Sequence, residues 1–215
     1  MRKSKKQRKR EKREKLKNKK LVKKYYWLAP RNCWTGELMK DYDYSFIEWG
    51  WSDGWDKAFA NMFMEELGAE IKRIKQKNFQ LMQLKEKYGR AVCYTSGTSQ
   101  EAYNIVHKYE ALSENICYFC GRPDVHMTNA GWVLPMCEKC YEKHWRRGSK
   151  FEYEDVICDE SPRMVDCYHV RQFSKDEDEI ITYDYSETTN EIRRWWNKNH
   201  PDDQVDLYVQ PGQTS

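Results

Sequence analysis

No apolar run in this sequence approaches the roughly 20 residues that a membrane-spanning helix needs, and its charged first two dozen positions hold no apolar core of a secretory signal. Export is therefore not expected, no membrane partner is expected, and the 8 cysteines do not read as a disulfide framework. A reducing compartment fits better. That is the cytoplasm, or a nucleus, since a basic run also serves as an import signal. The chain also lacks a phosphate-binding glycine loop, a Ser-His-Asp pattern and a paired-carboxylate constellation, so the commonest enzyme signatures are missing.

Large rings and charge are abundant. Aromatics make up 14% of the 215 residues, too many for a wholly disordered chain, although 33% are charged. That length suits one medium domain or two small ones with tails. The net charge of +4 is unevenly spread. Positions 1–24 carry 15 Lys and Arg against Glu11 and Glu14, a local net of +13. Positions 151–215 carry 16 acids against 6 Lys and Arg, a net of −10, which leaves the middle near neutral.

Four parts follow: a basic arm at 1–24, an aromatic-rich α+β unit at 25–113, a zinc ribbon at 114–150, and an acidic β-rich segment with a short helix and loose tail at 151–215. The arm is expected to be disordered or a frayed helix, because dense like charges repel and leave little to bury. Its candidate phosphate contacts are Arg2, Lys3, Lys5, Lys6, Arg8, Lys9, Arg10, Lys12 and Arg13. Six such contacts would make affinity fall as roughly the fifth power of salt concentration. A mere solubility tail stays open, since no aromatic is interleaved to stack on a base. Positions 25–51 are aromatic and irregular, and the lone Cys33 there reads as a small buried hydrophobe.

Beyond them, Ser52 or Asp53 can cap a helix whose apolar residues Trp55, Phe59, Met62, Phe63, Leu67, Ile71 and Ile74 form one stripe. Two strands are expected at 79–84 and 91–95 around a turn at 85–89. Ser99 then opens a second helix with the stripe Ala102, Ile105, Val106, Tyr109 and Leu112, which leaves His107 at the surface.

The sharpest motif follows. Cys117-Tyr-Phe-Cys120-Gly121 and Cys137-Glu-Lys-Cys140 are two C-x-x-C knuckles separated by a hairpin-length segment. Such turns each present two sulfurs, and together they make a tetrahedral, thiolate-only site for one structural zinc ion. Four protein ligands leave no position for water, so this zinc would hold a fold rather than react. A zinc deaminase needs His-x-Glu and Pro-Cys-x-x-Cys; here Met127 and Thr128 follow His126, and Met136 parts Pro135 from Cys137. His126, Asn129 and His144 superficially suggest a His-Asn-His nuclease, but too few residues lie between the knuckles for its metal motif.

Positions 54–143 resemble a family of small phage and prophage proteins. The resemblance rests on Gly54-Trp55 opening a long helix and on Gln83-Leu-Lys-Glu-Lys-Tyr-Gly89 leading to Tyr94. It also rests on a helix running into Cys117-x-x-Cys120-Gly121, followed by Gly131-Trp132 and the second knuckle. It implies a phage-type source and a compact helix–hairpin–helix–ribbon unit, and no reaction.

In the acidic segment, strand-like pieces at 156–157, 164–170 and 180–185 predict a small antiparallel sheet, and 189–200 a last helix with Trp195-Trp196. Cys158, Cys167 and His169 are candidates for a second metal site without a recognised ligand spacing. The fold class expected is α+β. The function expected first is a non-enzymatic structural-zinc protein that engages nucleic acid or a nucleoprotein machine. The alternative is a phage-encoded inhibitor whose acidic surface covers a basic surface of a host protein, such as a CRISPR effector nuclease or a polymerase. A His-Asn-His-type nuclease comes third.

Overall fold

A computed structural model describes residues 4–29, 31, 32, 35, 37, 38, 51–146, 150–158, 167–173 and 178–209. Arg2, Lys3, Cys33 and most of the aromatic loop to position 50 lie outside the described residues. The architecture mixes helices with small antiparallel sheets around a four-cysteine cluster, so it is α+β.

Positions expected to be disordered or a frayed helix form helix α1, Lys5–Lys24. Lys, Arg, Gln and Glu are good helix formers, and neither Gly nor Pro interrupts them. Among the described residues the docking lies in the last turn: Leu21 and Val22 pack on the main core, and Lys24 Nζ lies 3.5 Å from Glu65 Oε1. Lys5, Arg8, Lys12, Lys19 and Lys20 are exposed. Lys6, Lys9, Arg10 and Arg13 share the helix, but their side chains lie outside the described residues.

The helix expected after Ser52 runs over 53–73 in three pieces. Asp53–Trp55 is α-helical, Asp56–Ala60 is a π-helical turn, and Asn61–Arg73 is helix α2. Ser52 caps it, its Oγ accepting from Trp55 N at 3.3 Å. Trp55, Phe59, Phe63, Leu67 and Ile71 of the expected stripe are all buried, and Met62 is partly so.

Strands β1, Gln80–Lys87, and β2, Arg90–Ser96, pair antiparallel. The turn is only Tyr88-Gly89, not the five residues expected. Both take positive φ, 53° and 80°, and such a two-residue turn matches strand twist, so the ladder continues through Lys85–Lys87. The register slips at Met82, which lets Leu81 and Leu84, three apart, both face the core.

Helix α3, Gln100–Ser113, is capped by Ser99 and covers this hairpin and α2. His107, expected at the surface, is only partly exposed: it stacks beside Tyr103 and lies 3.8 Å from Glu110. Burial pushes its pKa below the ordinary histidine value, with Arg90 adding to the effect. Lys108 of α3 is buried, its Nζ 2.6 and 2.5 Å from the Glu66 carboxylate oxygens, to which Tyr109 also donates at 2.9 Å.

The remaining elements are the hairpin β3, His126–Asn129, and β4, Val133–Met136; helix α4, Glu138–His144; a 3-10 turn at Glu154–Val156; the hairpin β5, Cys167–Phe173, and β6, Asp178–Asp184; and helix α5, Ser186–Asn199. Val156-Ile157, expected as a strand, is the end of that turn plus a single bridge from Ile157 to Thr128, so it extends the β3–β4 hairpin. Contacts run across the boundaries expected near 113 and 150. Ile116 and Ile192 both sit in the main core with α2 and α3, and Arg193 of α5 binds Asp124 at 3.0 Å. Among the described residues no helix is long and apolar enough to cross a membrane.

Candidate metal centre

Each knuckle is set by its backbone. In the first, Gly121 N donates to Cys117 O at 2.9 Å and Cys117 N to Arg122 O at 2.7 Å. Gly121 takes a φ of +87°, which glycine adopts without the strain a Cβ brings. In the second, Cys137 is the residue before α4, and Cys140 N and Tyr141 N both donate to Cys137 O, at 3.0 and 2.9 Å. The β3–β4 hairpin between them brings the knuckles face to face: Tyr118 N donates to Pro135 O at 2.8 Å, and Cys137 N reaches Cys117 Sγ at 3.4 Å.

The outcome is one group. The sulfurs of Cys117, Cys120, Cys137 and Cys140 all lie within 4.8 Å of one another, and Cys120 Sγ is 3.7 Å from Cys137 Sγ. A tetrahedron with metal–sulfur bonds of about 2.3 Å has sulfur–sulfur edges of about 3.8 Å. A disulfide would need about 2.05 Å. The four sulfurs thus fit a single metal ion better than any pairing among themselves. Cys117, Cys137 and Cys140 are buried, and Cys120 is partly so.

Electrostatics point the same way. Hydrogen bonds from Cys120, then Cys137 and Cys140, hold the Cys117 thiol well below its usual value; Cys137 is lowered as well, whereas Cys120 and Cys140 are pushed up by their neighbours. Four thiolates at this separation cannot all carry charge unless a cation sits among them.

The first knuckle is also wedged into the main core. Gly54 N donates to Tyr118 O at 3.1 Å, and Trp55 Nε1 to Ile116 O at 2.9 Å. A Cβ on Gly54 would stand 2.3 Å from Cys117 O and 2.7 Å from Gly121 N. The helical run 53–73 therefore begins directly on the metal loop. From the other side the segment after α5 clasps the ribbon: Asp203 lies 3.2 Å from both Arg122 and Lys139, which hold its carboxyl low against the desolvation of its site.

The other sequence candidates are not members of this cluster. His144 stacks on Phe119 with ring centroids 4.4 Å apart, Asn129 accepts from Gly131 N in the β3–β4 turn, and His126 pairs with Met136 at the start of β3, beside the second knuckle. Cys158 is exposed and its Sγ faces Met127 O, while the side chains of Cys167 and His169 on β5 lie outside the described residues. Among the described residues no second group of three or more His, Cys, Asp or Glu converges. Sequence reasoning missed the seat of the knuckle on Gly54 and the clasp by Asp203. Gly54 stood in view as a glycine just after a helix cap, but its neighbour sixty residues on did not. No family model, no curated protein and no solved structure matches the chain.

Proposed function

We propose that this chain is a non-enzymatic zinc-ribbon protein, of phage-type source, that presents a basic helix to nucleic acid or to a nucleoprotein machine. One zinc ion on Cys117, Cys120, Cys137 and Cys140 completes its coordination with protein sulfur, so it activates no water and acts as a clamp. The observation that carries the binding role is the economy of α1. Among its described side chains, Leu21 and Val22 pack on the core, while Lys5, Arg8, Lys12, Lys19 and Lys20 stand in solvent along a preformed rod. A rod of cations gains affinity for phosphate by releasing counterions.

The test is binding of the zinc-loaded chain to labelled DNA and RNA at several salt concentrations, with and without positions 1–20. The proposal expects affinity to fall steeply with salt and the truncated chain to lose both affinity and most of the salt slope. Equal binding by the two chains would refute it.

A further inference from the structure

At the foot of α1 lies an open groove of about 890 Å³ between that helix and the C-terminal half of α2. Its rim carries Lys24, Lys72, Lys75 and Lys77 against a single acid, Glu65, and its wall includes Tyr26. We propose that this groove binds single-stranded nucleic acid, its phosphates on the lysines and one base stacked on Tyr26. The idea rests on the reading of α1 as a nucleic-acid-binding helix, and it names the part of the surface that distinguishes single strands from duplex.

Three observations carry it. First, the cations are available. Lys72, Lys75 and Lys77 are exposed, and their side chains have no ion pair or hydrogen bond among the described residues; Glu65 faces Lys24. Second, the aromatic that the basic run itself lacks is supplied just after it. Tyr26 is 52% exposed and lines the groove, and its hydroxyl donates to the Gln76 carbonyl, which fixes the ring at the groove wall. A fixed, exposed ring beside cations is the usual platform for an unpaired base.

Third, Lys75 sits in a strained conformation. It ends α2 with φ 52°, where Lys75 N donates to Lys72 O and Gln76 N to Ile71 O, a helix stop that glycine fills most easily. A lysine there keeps a charge at the groove lip at a conformational cost. Exposed Lys19 and Lys20 continue the same basic surface up α1.

The test uses the full zinc-loaded chain and fluorescence anisotropy with labelled oligothymidylate, oligouridylate and a duplex of equal length, over a range of salt. Tyr26→Leu should weaken binding to both single strands about tenfold and leave duplex binding unchanged, whereas Tyr26→Phe should bind like the parent. The combined variant Lys72→Ala, Lys75→Gly, Lys77→Ala should flatten the log–log salt slope for single strands by about 2. Because all three lysines are exposed, that variant keeps the test decisive should Tyr26→Leu fail to fold. A preference for one oligonucleotide over the other says which sugar the groove accepts, and either supports the proposal.

Variants that bind single strands like the parent, while loss of positions 1–20 still abolishes binding, would overturn the groove and leave the role of α1 standing. A parent chain that binds none of the three probes would overturn both. Displacement of the oligonucleotides by polyglutamate at equal charge, with no dependence on Tyr26, would overturn the proposal in favour of an acidic protein partner.

Discussion

Helix α1 and the first cysteine knuckle are held to the same core in opposite ways. The helix is twenty residues long, and among its described residues Leu21 and Val22 anchor it, with the Lys24–Glu65 pair at its foot. The knuckle is five residues long, and the backbone of Cys117, Tyr118 and Gly121 is tied to Gly54, Pro135, Arg122 and its own turn, with Trp55 Nε1 holding Ile116 O just before it. A surface ion pair contributes little, typically under about 1 kcal/mol, whereas a structural zinc contributes on the order of 10–16 kcal/mol in small fingers. One region is therefore lightly anchored and the other clamped, and it is backbone hydrogen bonding and sulfur ligation that separate them.

That contrast can be broken most severely at the metal. Removing zinc with a chelator, or changing Cys137 to Ser, should unfold the ribbon and loosen the helical run 53–73 that begins on it, because the loss exceeds the whole stability of an ordinary domain. Near-ultraviolet circular dichroism from Trp55 and its neighbours should collapse. Deleting positions 1–20 should leave the same signal and the melting temperature unchanged within about 2 °C. An equal loss in both experiments would erase the distinction.

A smaller effect is expected where the far end of the chain joins the core. Ile192 of α5 is fully buried, so Ile192→Ala should cost about 2–5 kcal/mol, which for a chain of this size lowers the melting temperature by roughly 5–15 °C. A thermal melt checks it. Should the melt not move, α5 is an appendage like α1 rather than a third side of the clamp.

Gly54→Ala sharpens the comparison more finely. Its methyl group meets backbone, not a flexible side chain, so the helix start and the knuckle must separate by several tenths of an ångström. The expected cost is about 1–3 kcal/mol, together with faster zinc loss to a competing chelator. The smallest effect belongs to the foot of α1. Lys75→Gly should raise stability by up to about 1 kcal/mol, measured by denaturant titration, since it relieves a left-handed, solvent-exposed lysine.

The stripe from Trp55 to Ile71 and the paired C-x-x-C knuckles could be read directly, because helical period and metal-ligand spacing are local signals. Helix α1 could not: its charges run around every face, so no apolar stripe marks it, and only two apolar residues near its end record where it docks. The two-residue turn at Tyr88-Gly89 was hidden because tyrosine rarely takes a positive φ. Ile157 could not be assigned to the β3–β4 hairpin, nor Ile192 to the main core, since both contacts join positions far apart in the chain. The groove at Tyr26 is illegible for the same reason: nothing in the local pattern places Tyr26 beside Lys72, Lys75 and Lys77.

The central claim is the closed sulfur cage, and metal counting during thiol titration tests it most directly. Purified full-length chain, analysed for metals while a mercurial titrates its cysteines, should contain one zinc per chain and release it as the four thiols of Cys117, Cys120, Cys137 and Cys140 react. A preparation without zinc whose knuckle cysteines resist the mercurial as disulfides would contradict the account.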